Sequence, residues 1–299
     1  MYLQSLVVIL CMLYSTVFII GKYALYHIPP ILLTGSRMVL AGVLVLAFQF
    51  FFRPQSFSLK KIHWGPVLMV ALMGVYLTNI LEFWGLQYME SAKASFLCSF
   101  YPIVTALLSY LWFQEKINAK QWLGLLLGMG GFIPLLLNMD PKEMLGFSLP
   151  EWAILLSTVT TAIGWIAMRE VVKDRKLCPL MANGLSMLAG GLLSLLHSFC
   201  VESWNISQQT NLWPALQGLL LLTLVSNILC YNLHAYLLKH FNATYLSFAG
   251  LSQPFFTAFL AWFFLAEVLT TSFWLSLGLV TLGLYFYYRE ALKSANMRG

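Results

Sequence analysis

The sequence predicts an all-α integral membrane protein with ten transmembrane helices, arranged as two inverted five-helix repeats. Three observations carry this prediction: the composition, a succession of ten apolar runs, and a segment that occurs twice. Of the 299 residues, 60% are hydrophobic and only 9% are charged. A soluble domain of this size cannot bury so much apolar surface in its core. The chain is therefore expected to lie in a lipid bilayer.

Ten apolar runs, separated by short polar or proline-bearing breaks, are each long enough to span a membrane. A hydrocarbon layer of roughly 30 Å takes about 20 residues of helix. The first run starts at Leu3 without a basic region or a small-residue cleavage pattern, so we expect it to remain as the first span. The predicted spans of the first half are residues 3 to 21, 30 to 52, 64 to 86, 94 to 113 and 120 to 138. Those of the second half are residues 151 to 168, 179 to 199, 213 to 235, 244 to 264 and 271 to 288.

The lysines and arginines predict the orientation, because cytoplasmic loops keep an excess of them. Thirteen of the 17 lie in the turns after the even-numbered spans and in the C-terminal tail. The opposite side has only Lys22, Lys93 and Lys142, and Arg37 lies inside a span. Both termini are therefore expected in the cytoplasm, with the chain in a bacterial inner membrane. This bias accounts for most of the net charge of +6, so no nucleic-acid partner is expected.

One segment of the chain occurs twice. Residues 95 to 131 match residues 247 to 283 at 12 of 37 positions without a gap, at a spacing of 152 residues. A weaker similarity at a spacing of 149 residues relates Gly35 and Gly42 to Gly184 and Gly191. We interpret the chain as a tandem duplication with halves 1–146 and 147–299. Because each half has five spans, the second half crosses the membrane in the opposite direction, which is the usual construction of secondary transporters.

Several motifs carry a family resemblance. They are "STVFIIGKYAL" with Lys22, "LLTGSRMVLAG" with Arg37, and "WFQEKINAKQWLGLLLGMGGF". These motifs resemble the repeats of the drug/metabolite transporter superfamily, specifically its EamA branch, over nearly the whole chain. The resemblance implies that helices 1 to 4 and 6 to 9 enclose a central cavity, with helices 5 and 10 at the periphery. It implies cargo among amino acids, nucleotide-type metabolites and drugs.

Polar and ionisable side chains inside the spans are the candidate cargo contacts, since such groups are costly in a membrane. At helical spacing they share one face of the third span and one face of the eighth. At the spacing of 152 residues, Glu82 corresponds to His234 and Asn79 to Tyr231. We expect the two faces to line opposite sides of one cavity. The candidates are Tyr76, Asn79, Glu82 and Phe83 on the third span, and Asn227, Tyr231 and His234 on the eighth.

Two prolines lie within spans at corresponding positions. Pro102 and Pro254 each remove a backbone donor, so we expect each to kink its helix midway. Such kinks are tolerated where the backbone borders protein or a watery cavity. Tyr101 and Gln253, which directly precede them, are then expected to present polar groups to the cargo.

The residues leave alternatives open for several candidates. A carboxylate at Glu82 requires a cationic partner, a cationic cargo or protonation, so Glu82 contacts cargo or a coupling proton, or it forms a structural ion pair with Arg37 or Lys22. His234 is either a cavity residue or a hydrated histidine at the cytoplasmic end. The amides of Asn79 and Asn227 bind cargo or join helices by hydrogen bonds.

Packing or gating roles are assigned to residues outside the two candidate faces. Lys22 and Arg37 belong to the family motifs, and Glu115 and Glu267 close the repeated segment at the ends of their spans. We interpret the two glutamates as helix caps that brace neighbouring helices. Pro102 and Pro254 complete this group as hinges.

Rival functions lack their motifs in this chain. A nucleotide-driven pump needs a phosphate-binding GxxxxGK[ST] loop, and a membrane hydrolase needs HExxH or GxSxG. The sequence has none of these, so no enzyme activity, cofactor or metal is expected.

Aromatic residues around one carboxylate suit a flat or cationic solute. The expected cargo is an amino acid or a derivative such as S-adenosylmethionine, the alternative being a multidrug or cationic-compound exporter. The expected partners are this solute and lipid, with monomer and dimer both open.

Overall fold

The computed structural model describes residues 2–52, 62–114, 118–131, 133, 148–174, 177–203 and 212–265, and helical pieces between 271 and 286. Within these ranges the chain is helical and contains no strand. Eight of the described helices are long and apolar enough to span a membrane, which confirms an all-helical, multi-pass membrane protein. These eight are α1 Tyr2–Leu25, α2 Pro30–Phe52, α3 Trp64–Leu86, α4 Ser91–Trp112, α6 Leu149–Asp174, α7 Pro179–Val201, α8 Trp213–Leu237 and α9 Ala243–Phe264; the shorter α5 is Ala119–Gly130.

The eight long helices coincide with predicted spans one to four and six to nine. The largest difference is at α6, which continues to Asp174 through a π-helical turn from Glu170. Of the fifth predicted span, α5 covers the first part. The predicted roles of Glu115 and Glu267 lie outside the described residues and stay predictions.

Burial along the helices is the reverse of that in a soluble protein. On α7, Leu196 and Phe199 are 66% and 76% exposed, whereas Ser194 and Ser198 are fully buried. Apolar side chains on the outer surface match a hydrocarbon solvent, and the two inward-facing hydroxyls donate to Gly190 and Glu202 of the same segment, so neither is left unpaired away from water. The surface pattern therefore agrees with the composition.

Two helices contain a π-helical segment at corresponding places. In α3 the segment is Val70–Leu77, and in α8 it is Thr223–Cys230. The two segments have the same length, and their first residues are 153 positions apart. Such segments within α-helices occur frequently at functional sites.

Two further helices are interrupted directly before their prolines. α4 consists of Ser91–Cys98 and Tyr101–Phe113, and α9 consists of Ala243–Ala249 and Gln253–Leu265. The pieces of α9 begin 152 residues after those of α4. Each proline was expected to kink a continuous helix. Instead, it is the second residue of a new helical piece, where its missing N–H costs nothing.

Glycines allow α2 and α7 to pack closely. A β-carbon added to Gly42 would lie 2.8 Å from the backbone nitrogen of Leu188, and one added to Gly191 would lie 2.8 Å from that of Val39. Both contacts are closer than a side chain permits, so each position requires glycine. Gly42 and Gly191 are one of the pairs found at the spacing of 149 residues.

Candidate functional site

A cavity lies in the middle of the bundle and receives side chains from α1, α2, α3, α4, α6, α8 and α9. It contains about 780 Å³ of empty space, including the part that opens to the surroundings. Eight of the residues singled out in the sequence line it: Arg37, Asn79, Glu82, Phe83, Tyr101, Tyr231, His234 and Gln253. The two predicted faces thus meet at one cavity.

Arg37 is fully buried in the cavity wall and joins three helices. From α2 its Nη2 donates a hydrogen bond to Asn79 Oδ1 of α3 at 2.6 Å. Its Nη1 donates to Ser226 Oγ and Asn227 Oδ1 of α8 at 3.2 and 3.3 Å. The guanidinium also lies 4.3 Å from the centre of the Phe83 ring, where a cation is attracted to the aromatic face. The charge is therefore held in place by amides, a hydroxyl and a ring.

Asn79 and Tyr231, which correspond at the spacing of 152 residues, contact each other directly. Asn79 Nδ2 donates to Tyr231 Oη at 3.0 Å and to the Val75 carbonyl oxygen at 2.8 Å. Tyr231 Oη in turn donates to the Gly74 carbonyl oxygen at 3.4 Å. Because Asn79 Oδ1 accepts from Arg37, every polar atom of this amide is used within the wall.

Glu82 faces the cavity from α3. It lines the same space as Arg37. Among the described residues, however, no hydrogen bond or ion pair to the Glu82 carboxylate occurs. This separation favours a carboxylate that is available to a solute over the structural ion pair with Arg37.

Aromatic rings occupy another part of the cavity wall. The His234 ring stacks on Trp165 of α6, with centroids 3.8 Å apart and planes 4° from parallel. His234 Nδ1 lies 3.4 Å from Tyr14 Oη, and Trp165 contacts the Tyr231 ring at 5.3 Å between centroids. With 5% of its surface exposed, His234 is buried. Its interpretation as a hydrated histidine at the membrane surface is therefore wrong.

Two of the predicted cargo contacts are not among the described residues that line the cavity. Tyr76 bonds instead to His197 of α7, with Oη 3.1 Å from Nδ1. Asn227 is fully buried between Arg37 and Met38. Both lie within π-helical segments, where the hydrogen bonds run from i to i+5 and the turns are wider. Their roles as cargo contacts stay predictions, made from a regular helical spacing that these segments do not have.

α6 contributes four side chains to the cavity that are not among the predicted candidates: Ser157, Thr158, Thr161 and Trp165. Thr78 of α3 contacts this helix, with its Oγ1 2.7 Å from Thr160 Oγ1. The signal was present: residues 157, 161 and 165 recur every fourth position, which puts them on one helical face. Hydroxyl groups carry no charge, so a search for ionisable residues passes over them.

Polar contacts join the helices at one end of the bundle. Lys22 Nζ donates to the Met89 and Leu86 carbonyl oxygens after α3, at 2.6 and 3.0 Å. Glu202, after α7, accepts from the backbone nitrogens of the first turn of α2, both at 2.8 Å. Lys93 and Glu151 form an ion pair at 2.8 Å between the starts of α4 and α6. Lys22 is thus a helix-end contact, in agreement with its assignment to packing.

The comparisons with known proteins agree with this architecture. The model of the EamA-like transporter family matches the chain twice, over residues 2–137 and 149–289. The chain belongs to this family. It is a membrane transporter and not an enzyme.

The transporter is similar to proteins of known and unknown cargo. It is 34% identical to the S-adenosylmethionine/S-adenosylhomocysteine transporter of Chlamydia muridarum, over 98% of this chain and 95% of that one. It is 33% identical to the transporter of the same name in Chlamydia trachomatis, over 94% and 87% of the two chains. An uncharacterized inner membrane transporter of Escherichia coli is 27% identical over 91% and 88%.

A solved crystal structure has the same fold. It superimposes with a TM-score of 0.77 and covers 98% of both chains, at 16% sequence identity. At this identity the likeness concerns the arrangement of the helices alone.

Proposed function

We propose that this transporter carries S-adenosylmethionine and S-adenosylhomocysteine across the membrane by alternating access. The observation that carries the proposal is the identity of 33 to 34% with the two chlamydial transporters over nearly the whole chain. Both solutes share an adenosyl group and an amino-acid group, and they differ by the charge on sulfur. One cavity that accepts both can therefore exchange one for the other.

The chemistry of the cavity supports this cargo. Glu82 offers a carboxylate without a partner among the described residues, which suits a cationic sulfonium or ammonium group. Trp165, Tyr231 and Tyr14 offer aromatic surface, which attracts both cations and flat rings. A buried charge opposite a neutral cargo would be costly, so we expect S-adenosylhomocysteine to bind through its ammonium group.

We infer further that the protein consists of ten helices in two inverted repeats, 1–146 and 147–299. The two family-model matches and the matching interruptions of α3 with α8 and α4 with α9 support this organisation. An odd number of spans in each half makes the halves antiparallel, so exchanging their conformations moves the cavity opening from one side to the other.

We also propose the setting in which the transporter works. The excess of basic residues in alternate turns supports cytoplasmic termini in a bacterial inner membrane. The required partners are then the solute and the lipid bilayer.

Binding and exchange by the purified protein test the proposed cargo. A solute at 100 times its Kd stabilises the folded state by about 2.7 kcal/mol, so both solutes are expected to raise the unfolding temperature in detergent. Proteoliposomes loaded with S-adenosylhomocysteine are expected to take up labelled S-adenosylmethionine with saturation, and faster than empty ones. Stabilisation by many unrelated organic cations, without preference for either solute, would instead identify a cationic-compound exporter.

A further inference from the structure

Three residues of the cavity wall have a buried polar atom without a hydrogen-bond partner among the described residues: Arg37, Tyr101 and His234. His234 Nε2 makes no hydrogen bond to any described residue, although its ring is held by Trp165 on one side and Tyr14 at Nδ1. Buried polar atoms in folded proteins almost always have a partner. His234 lines the cavity, and Nε2 itself is enclosed in the wall, so a shift of the side chains that cover it brings the nitrogen within reach of a solute.

The ring that carries this nitrogen is already part of an aromatic stack. Trp165 and His234 lie parallel at 3.8 Å, and Tyr231 contacts the edge of the pair. Since Nε2 bonds in the plane of the His234 ring, a flat heterocycle that lies beside His234 in that plane meets the nitrogen with its edge and the Trp165 indole with its face. The stack and the free nitrogen together form a site for a nitrogen heterocycle.

The carboxylate of Glu82 belongs to a different part of the wall. It lies on α3 near Arg37 and Phe83, and neither residue takes part in the stack. The two parts are connected through the wall itself, from Arg37 to Asn79, from Asn79 to Tyr231 and from Tyr231 to Trp165. The cavity therefore presents a carboxylate and an aromatic stack on helices that are joined through its wall.

We propose that the cavity binds its cargo at two subsites. Trp165 and His234 take the purine ring, and Glu82 takes the cationic amino-acid end. This inference rests on the proposed function and assigns its two chemical halves to different residues. Trp165, which carries no charge, is thereby a specificity-determining residue.

The hydrogen-bonding capacity of His234 fits a purine. When Tyr14 donates to Nδ1, Nε2 carries the proton and donates; in the other tautomer Nε2 accepts. Adenine has ring nitrogens that accept and an amino group that donates on neighbouring edges. Either tautomer therefore finds a partner on the same ring.

Competition against labelled S-adenosylmethionine measures the two subsites separately. The competitors are unlabelled S-adenosylmethionine, S-methylmethionine, which keeps the sulfonium and amino-acid end without the purine, and adenosine, which keeps the purine alone. Stacking of a base on an aromatic side chain accounts for about 10-fold in affinity. In Trp165→Leu we expect S-adenosylmethionine and adenosine to weaken by about 10-fold and S-methylmethionine by less than about 2-fold.

Glu82→Gln is the matched variant for the charged subsite. It preserves shape, and we expect it to weaken both sulfonium compounds by about 10-fold while adenosine is unchanged. His234→Phe keeps an aromatic ring against Trp165 and removes both Nε2 and the Nδ1 contact to Tyr14, and its loss is expected to fall on S-adenosylmethionine and adenosine only. The unfolding temperature without solute identifies any variant that is merely misfolded.

Three results would overturn the two-subsite assignment while leaving the proposed function intact. They are equal losses for all competitors in both variants, no purine-dependent loss in Trp165→Leu, and a loss of adenosine binding in Glu82→Gln. Failure of the unmodified protein to bind either adenosyl compound would instead reject the proposed function. The two failures are therefore distinguishable.

Discussion

Single residues divide the cavity into groups that are satisfied and groups that are available. Arg37 makes hydrogen bonds to Asn79, Ser226 and Asn227, so its fork joins α2 to α3 and α8. Glu82 makes no such bond to a described residue. We therefore propose that the arginine is a structural charge of the wall, although its Nε has no partner among the described residues, and that the glutamate is the charge presented to the solute.

Substitution of Arg37 tests this division. Arg37→Gln breaks three hydrogen bonds to a buried charge and is expected to lower the free energy of unfolding by about 2 to 4 kcal/mol. Arg37→Lys retains the charge but lacks the fork, and we expect a similar loss. Glu82→Gln is expected to leave the unfolding temperature nearly unchanged, all measured in detergent without solute.

Two outcomes would contradict the assignment of Arg37. One is an Arg37→Lys variant as stable as the parent, which would mean that the charge alone matters. The other is restored transport in the Glu82→Gln, Arg37→Gln double variant, which would make the two residues a structural ion pair after all.

Four of the helices that line the cavity are interrupted beside it. α3 and α8 have π-helical segments, and α4 and α9 restart at Tyr101 and Gln253. Both of these residues line the cavity, and the Gln253 carbonyl oxygen accepts a hydrogen bond from Ser15 Oγ at 3.1 Å. Interrupted helices have a place to bend, whereas continuous ones do not.

Alanine at Pro102 or Pro254 tests the interruptions as hinges. Either change allows the two helical pieces to join, which is expected to slow exchange by about 5-fold, equivalent to about 1 kcal/mol in the barrier. The Kd of the solute is expected to change by less than about 2-fold, since no cavity side chain is removed. Pro214→Ala is the matched control, because Pro214 lies in the first turn of α8 and interrupts nothing. Unchanged exchange in both hinge variants would rule out this role.

Composition and periodicity predicted the helices well because both follow from the apolar solvent. They failed where local geometry departs from the regular helix. Tyr76 and Asn227 were assigned to the cavity by a spacing that the π-helical segments alter, and no propensity reveals such segments. Trp165 was missed because its importance comes from His234, which lies 69 residues further along the chain.

The whole molecule has an orientation that labelling measures. In a cysteine-free version, a cysteine near Asn205 is expected to react with an impermeant thiol reagent from outside the cell, and a cysteine at Asp174 only after the membrane is opened. Tags at both termini are expected to be reachable from the cytoplasm alone. These results follow from the distribution of basic residues. Labelling of both cysteines from the same side would overturn the inverted arrangement.

The hydrogen bond between Asn79 and Tyr231 joins two residues at corresponding positions of the proposed repeats. Under the proposed inverted-repeat mechanism, one conformational state becomes the other when the two halves exchange their conformations. Each contact between two residues is then replaced by the contact between the corresponding residues of the other half. A contact between counterparts is mapped onto itself, and at 3.0 Å the Asn79 to Tyr231 bond is such a contact. The contacts of Lys22 and Glu202 map onto other residues and must break and re-form on each passage. The contact that persists in both states therefore lies in the wall of the cargo cavity. The contacts that change lie at the ends of the helices.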